Sequence, residues 1–121
     1  MNNARAGGKA VMLSNATVMI AGGWGKDHIV LATTELFNGS VWVSGPSLPF
    51  GVTYHCMVNV PASGVIVLAG GQLDYGSGPK YNRYNHTYSY NIATDVWTMK
   101  ASMNSARSDH ACALVNNEVW V

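Results

Sequence analysis

The sequence repeats a block of about 50 residues, and a chain made of such blocks folds by stacking similar units side by side. The apolar run at residues 18–23, which ends in two glycines, recurs at residues 66–71. Residues 1–5 are echoed at residues 103–107, and each double glycine is followed by an alternating segment and then by a tryptophan, Trp42 or Trp97. Each block therefore predicts two apolar strands, a loop, an alternating strand and a final strand that carries the tryptophan.

The register of the repeat divides the chain into units. We expect residues 1–5 to be the end of a preceding repeat or its connection, residues 6–51 and 52–106 to be two complete repeats, and residues 107–121 to be the first half of a third. The second repeat is longer because of an insertion within residues 73–83. Such an insertion belongs in a surface loop, where added length costs little closure entropy.

The period of two in the apolar segments predicts an all-β chain. A helix across residues 93–105 is the alternative, since Val96, Trp97, Met99 and Met103 partly match a helical stripe. Its repeat partner at residues 40–50 contains one glycine and two prolines, which disfavour a helix. We therefore expect strands in both places.

Composition excludes several classes of protein. Hydrophobic residues make up 48% of the chain and the net charge is only +1, which excludes a disordered chain. The seven lysines and arginines are scattered singly, so the sequence offers no basic stripe for a nucleic acid. The longest apolar runs, such as residues 65–69, are far shorter than the roughly 20 residues that cross a bilayer, and we expect no membrane partner.

Together these features resemble the kelch repeat of β-propeller proteins. The residues that carry the resemblance are the apolar run before Gly22 and Gly23, the segment at residues 35–37 before Trp42, and their second and third copies. The resemblance implies four-stranded antiparallel blades around a channel, about two and a half of them in this chain. It also implies that the remaining blades of the propeller or self-association cover the exposed edges.

The signature residues of this repeat have mechanical roles. A glycine pair at the end of a strand permits a positive φ and the close approach of a neighbouring blade, which a Cβ would obstruct. Tryptophan rings on the fourth strands are expected to lie between adjacent blades, with each indole N–H bonded to a partner. The residues assigned to these structural roles are Gly22, Gly23, Gly70, Gly71, Trp42 and Trp97.

Histidine and cysteine, which are the usual zinc ligands, occur together at His55-Cys56 and at His110-Ala111-Cys112. Adjacent strand residues face opposite ways, so His55 and Cys56 cannot share a site, and His110 with Cys112 supplies only two ligands. We therefore predict no metal and expect each histidine to make a repeated hydrogen bond inside its blade. The cysteines are expected to be buried free thiols, which favours a cytoplasmic location.

Three Asn-x-Ser/Thr triplets, which begin at Asn15, Asn38 and Asn85, fit the pattern of a glycosylation acceptor. About one or two such triplets arise by chance in a chain of this composition, and turns favour asparagine in any case. The triplets do not establish secretion, but they leave an extracellular location open.

Catalytic motifs are not evident. The glycine-rich segment at residues 21–26 lacks the Walker spacing, and no serine lies in a Gly-x-Ser-x-Gly elbow. We predict no cofactor and no catalytic residue within this chain.

The loops that follow the double glycines combine aromatic and charged residues, as protein-recognition surfaces do. In kelch propellers that act as substrate receptors, such loops and an arginine before the inner strand form one rim of the channel, and Arg5 and Arg107 match that arginine, whereas Val52 replaces it in the second repeat. The predicted partner-binding residues are Arg5, Trp24, Asp27, His28, Asp74, Tyr75, Tyr81 and Arg107.

The resemblance implies a non-catalytic module that binds a protein or peptide, for example as the substrate receptor of a cullin-type ubiquitin ligase. Two alternatives stay open. One is a propeller enzyme, an oxidase or a sugar-processing enzyme, whose catalytic residues lie outside this segment. The other is a structural or actin-associated kelch protein.

Overall fold

The computed structural model of the chain describes residues 1–13, 16–73 and 82–121. The first unit is a four-stranded antiparallel sheet in which consecutive strands are neighbours. Its strands are β1 (Lys9–Met12), β2 (Val18–Ala21), β3 (Thr34–Phe37) and β4 (Trp42–Ser44). A short 3₁₀ turn at Lys26–His28 lies in the connection between β2 and β3.

The second unit repeats this arrangement with an extra ribbon in its longest loop. Its sheet has the order β5-β6-β9-β10, and β7 pairs with β8 as a separate two-stranded ribbon. The strands are β5 (Cys56–Val60), β6 (Val65–Ala69), β7 (Gln72–Leu73), β8 (Asn82–Arg83), β9 (Thr87–Asn91) and β10 (Val96–Lys100). A second 3₁₀ turn, Pro61–Ser63, connects β5 to β6. The chain continues into an antiparallel hairpin formed by β11 (Ala113–Val115) and β12 (Glu118–Trp120).

The prediction of an all-β chain is confirmed. The part of the chain that the structure describes contains strands and two 3₁₀ turns and no α-helix. Strand β10 occupies Val96–Lys100, inside the segment for which a helix was the alternative, and it pairs in register with β9. The partial helical stripe there is overridden because this strand completes the second sheet.

The units pack through their first strands, since β1 contacts β5 and β5 contacts β11. The core lies between the sheets, where Met19 of β2 packs against Ile66 of β6 and Tyr90 of β9, all nearly inaccessible to solvent. The ring of Trp97 packs against this core, and its Nε1–H donates to the carbonyl of Pro46, 3.1 Å away, at the end of the first unit. Trp97 therefore joins the two sheets through apolar contact and one hydrogen bond.

A ladder of backbone hydrogen bonds connects equivalent positions of the three units. The N–H of Tyr54 donates to the carbonyl of Gly7 (3.0 Å), and the N–H of Asp109 donates to that of Tyr54 (2.8 Å). All three residues have a left-handed backbone, with φ of +67°, +52° and +55°. Glycine adopts this conformation without strain, whereas Tyr54 and Asp109 adopt it at a steric cost.

The double glycines lie where the next unit approaches most closely. A Cβ on Gly22 would lie 2.3 Å from the carbonyl oxygen of Val52, and a Cβ on Gly70 would lie 2.6 Å from that of Arg107. Both glycines also have a positive φ, which side chains rarely adopt. Val52 and Arg107 therefore occupy equivalent positions, and each is packed against the glycine pair of the preceding unit.

A disulfide links Cys56, the first residue of β5, to Cys112, immediately before β11, so the expectation of free thiols is wrong. Their Cα atoms are 5.8 Å apart, within the normal range for a bridge. The physical reason is the side-by-side packing of β5 and β11, which brings together two cysteines 56 residues apart in sequence. Because neither cysteine is a free thiol, the cysteines no longer favour a cytoplasmic location.

Candidate functional site

Arg5, which the sequence places among the partner-binding residues, has an internal role in the structure. Its guanidinium donates to the carbonyls of Gly22 (3.0 Å) and Thr33 (2.9 Å) and forms an ion pair with Glu35 at 2.6 Å, with both charged side chains only 1% exposed. Burial by itself raises the pKa of Glu35, but hydrogen bonds from the backbone of Asn2 and from Arg5 hold it below its ordinary value. Arg5 thus fastens the N-terminal segment to the first sheet.

The connection between β2 and β3 contains an exposed turn. Lys26, Asp27 and His28 are all exposed there, and the edge of the His28 ring faces Trp24 with 6.3 Å between centroids. Asp27 and His28 have φ of +56° and +59°, a left-handed conformation that aspartate and histidine adopt more often than most other residues with a side chain. The turn is fixed because the N–H of Gly25 donates to the carbonyl of Ile29 at 2.8 Å.

This turn forms one wall of an open depression of about 810 Å³. Trp24, Lys26 and Ile29 line it together with residues 2–6 of the N-terminal segment, Arg5 among them. Trp24 is half-buried and its backbone pairs with that of Ala6, whereas Ile29 is 63% exposed. The depression therefore combines an anchored aromatic ring, an exposed aliphatic side chain and a cation.

A second, smaller depression of about 270 Å³ lies beside the first. It is lined by Tyr54, Gln72, Arg83, Ser108 and Asp109, which come from the second and third units. A Cβ on Gly7 would lie 3.4 Å from both the Trp24 and the Tyr54 rings, so these two rings flank the same glycine. We call the surface formed by Trp24, Lys26, Ile29, Tyr54 and Arg83 the turn face.

Sequence reasoning did not select Tyr54 or Asp109. The signal available in the sequence is their equivalence to Gly7 in the repeat, but a tyrosine and an aspartate do not reveal a left-handed backbone by residue type. That backbone aims both side chains into the second depression, where the carboxylate of Asp109 and the guanidinium of Arg83 give the surface mixed charge.

Arg107 is not among the residues that line either depression, although it directly precedes Ser108, which lines the second. Its Nη1 donates to the carbonyl of Val121 at 3.4 Å, and its backbone carbonyl accepts from Gly71 at 2.8 Å. Three further residues predicted to bind a partner, Asp74, Tyr75 and Tyr81, lie outside the described residues. The sequence-predicted residues that the structure brings together are thus Trp24, Asp27 and His28 on the exposed turn and Arg5, which lines the same depression as Trp24.

His55 lies in the core and not on the surface. It is fully buried, and neither ring nitrogen has a hydrogen-bond partner within the described part of the chain, so the expected repeated hydrogen bond is not formed. Burial, together with the charges of Lys9 and His110, lowers the pKa of His55 to about 3, so the ring is neutral at pH 7. The ring packs closely against Gly22, since a Cβ added to that glycine would lie only 3.1 Å from the Cε1 of His55.

Within residues 1–13, 16–73 and 82–121, no three side chains of the His, Cys, Asp and Glu types are grouped so that they could hold a metal ion. Over the same residues, no helix has the length and apolar character needed to span a bilayer.

Comparison with known proteins identifies a structural neighbour. No protein-family model and no curated protein matches the chain. The solved structure of YjhT superimposes with a TM-score of 0.74 at 17% sequence identity, over 95% of this chain and 33% of that one. The chain thus spans about a third of the length of YjhT, with which it shares a fold.

Proposed function

We propose that this chain is part of a kelch-type β-propeller, and that it is a non-catalytic module that binds a protein or peptide through the turn face. The proposed propeller would consist of radially arranged four-stranded sheets, of which this chain supplies two and the first hairpin of a third. The proposal has two parts, the architecture and the binding surface, and each rests on separate observations.

Three features support the propeller architecture. The two sheets have the same antiparallel strand order, apart from the inserted β7–β8 ribbon, and they contact each other through β1 and β5. The hydrogen bonds from Tyr54 to Gly7 and from Asp109 to Tyr54 repeat at equivalent positions, which is typical of units related by a regular rotation. The glycine pairs of both complete units lie against equivalent residues of the next unit, Val52 and Arg107.

The single observation that carries the binding role is the pair of rings, Trp24 and Tyr54, that flank Gly7 between the two depressions. Both rings are half-buried, so little side-chain entropy is lost when a partner packs against them. Tryptophan, tyrosine and arginine are the residues that most often dominate binding energy at interfaces. The neighbouring Lys26 and Arg83 add charge at the edge of the surface, where it affects orientation and association rate.

The Cys56–Cys112 disulfide bears on the setting of this function. Disulfides persist in oxidising compartments and are rare in cytosolic proteins. The disulfide therefore favours binding of a partner outside the cytosol, and the proposal does not include the ubiquitin-ligase role that the resemblance implies.

Selection of peptides tests the proposal directly. A library of displayed peptides is selected on the protein, and dissociation constants of the selected peptides are measured by fluorescence anisotropy for Trp24→Ala and Lys26→Glu. The matched control is Lys100→Glu, because Lys100 is an exposed lysine at the end of β10 that lines neither depression. We expect binding about ten-fold weaker or worse for the two turn-face variants, in line with the cost of truncating an interface anchor, and no change for the control. Equal affinity in all three variants would refute the binding surface.

A further inference from the structure

The two complete units contain equivalent turns, in which an asparagine follows or ends the third strand and precedes the fourth. In the first unit, the Asn38 Oδ1 accepts hydrogen bonds from the N–H groups of Ser40 and Val41, both at 3.0 Å. In the second unit, the Asn91 Oδ1 accepts from Ala93 (2.9 Å) and from Thr94. Both asparagines are exposed, and their oxygen atoms, rather than their amide nitrogens, hold the turn.

Only the first of these turns carries a complete acceptor triplet, since Ser40 stands two residues after Asn38 and Ala93 stands two residues after Asn91. The side-chain amide nitrogen of Asn38 makes no hydrogen bond to any residue that the structure describes. It therefore projects from an exposed turn with its two N–H groups available.

The other triplets differ from that of Asn38. The amide nitrogen of Asn85 donates to the carbonyl of Met103 at 3.0 Å, and Asn85 is half-buried, so its reactive atom is already engaged within the fold. Asn15 lies outside the described residues. Geometry thus separates Asn38 from Asn85, although their sequence patterns are equivalent.

The disulfide supplies an observation that is independent of the triplet. Cys56 and Cys112 are bridged across two units, and such bridges persist in oxidising environments, among them the secretory compartments of the cell. Attachment of glycans to Asn-x-Ser/Thr triplets is a modification of secreted proteins. The bridge is therefore consistent with the secretory environment in which asparagine glycosylation takes place.

We propose that Asn38 is a site of N-linked glycosylation. The donor is a lipid-linked oligosaccharide diphosphate. A bond forms between the Asn38 Nδ2 and the anomeric carbon of the first sugar, while the bond from that carbon to the diphosphate oxygen breaks. The lipid diphosphate leaves with the bonding electron pair, and one proton is lost from Nδ2.

The position of Asn38 also gives the glycan a physical role. Asn38 lies in the turn between β3 and β4, and β4 is an edge strand of its sheet; Val41, immediately before β4, and Val43, in its middle, are 54% and 46% exposed. Exposed apolar edge strands promote edge-to-edge association. A hydrated glycan at the start of this strand hinders that association sterically.

The test uses the complete coding sequence expressed in a eukaryotic cell, with peptide mapping of the protein that the cell produces. Enzymatic release of N-glycans in ¹⁸O-labelled water marks each modified asparagine by a mass change at that residue. We expect the mark at Asn38, its loss in Asn38→Gln and in Ser40→Ala, and its retention in Asn85→Gln. The same map, run without reduction, reports the Cys56–Cys112 bridge.

The variant Ala93→Ser is a matched positive control, because it completes an acceptor triplet at Asn91 in the equivalent turn of the second unit. We expect this variant to carry glycans at both Asn38 and Asn91. An unmodified Asn38 in protein that contains the Cys56–Cys112 bridge overturns the proposal, and so does a glycan on Asn85 with none on Asn38. A mark at Asn91 of the Ala93→Ser protein, with Asn38 still unmodified, overturns it as well.

Discussion

Cys56 and Cys112 form a disulfide that fastens the first strand of the second sheet to the C-terminal hairpin. The sequence separation of 56 residues makes the closed loop long, and a long loop loses much conformational entropy in the unfolded state when it is cross-linked. This bridge, the Arg5–Glu35 ion pair and the Tyr54–Gly7 hydrogen bond all join parts of the chain that are distant in sequence.

Removal of the bridge is expected to destabilise the protein. The variant Cys112→Ser should lower the free energy of unfolding, measured by urea denaturation, by about 2–4 kcal/mol. Dithiothreitol should have the same effect on the unsubstituted protein and none on the variant. A denaturation curve of the unsubstituted protein that does not respond to the reductant would show that the bridge contributes nothing.

The buried ion pair is expected to depend on both partners. Arg5→Met leaves the carboxylate of Glu35 buried without its cation and should cost about 3–5 kcal/mol of unfolding free energy. The double variant Arg5→Met/Glu35→Leu should recover part of that loss, because no uncompensated charge remains. Arg83→Met, at an exposed arginine, is the control and should change stability by less than about 0.5 kcal/mol. Equal small effects at Arg5 and Arg83 would contradict the internal role of Arg5.

Protonation of His55 is expected to oppose folding. The unfolded chain binds this proton at the ordinary pKa of 6.5 and the native chain only at about 3, so stability falls as the pH decreases below about 6.5. The slope contributed by His55 should approach about 1.4 kcal/mol per pH unit, and the lowered pKa of His110 acts in the same direction.

Urea denaturation between pH 5 and 7.5 measures this slope above the range in which Glu35 titrates. The variant His55→Gln should flatten the dependence, because it removes the buried imidazole. Identical slopes in the protein and in His55→Gln would show that the ring of His55 is accessible to protons in the native state.

Gly22 and Gly64 have the same backbone conformation, so their alanine variants distinguish the cost of backbone strain from the cost of a steric clash with the neighbouring unit. Gly22 and Gly64 have φ of +62° and +63°, but a Cβ on Gly22 would meet the carbonyl of Val52 and the ring of His55, whereas nothing lies within 4 Å of one on Gly64. Gly64→Ala should cost about 1 kcal/mol for backbone strain alone. Gly22→Ala should cost at least about 2 kcal/mol more, because the neighbouring unit must move. Equal losses in thermal or urea denaturation would mean that the units are not packed at this point.

The fold class could be predicted from the sequence because apolar periodicity and the repeated glycine pairs are local signals. The disulfide could not be predicted from local signals, because Cys56 and Cys112 are 56 residues apart in sequence. They come together only through the packing of the first strands of neighbouring units. The candidate site was predicted in part. Trp24 and its neighbours follow a double glycine and were found, whereas Tyr54 is positioned by a left-handed backbone that its residue type does not indicate.

The most direct test of the turn face uses the indole N–H resonances of the four tryptophans in an NMR titration with a selected peptide. Trp24 lies on the turn face, Trp42 packs against Phe37, Trp97 donates to Pro46, and Trp120 lies on the terminal hairpin. We expect the Trp24 resonance to shift in proportion to occupancy, with Trp42, Trp97 and Trp120 unchanged. Binding that shifts Trp120 or Trp42 and leaves Trp24 in place would contradict the assignment of the turn face as the partner-binding surface.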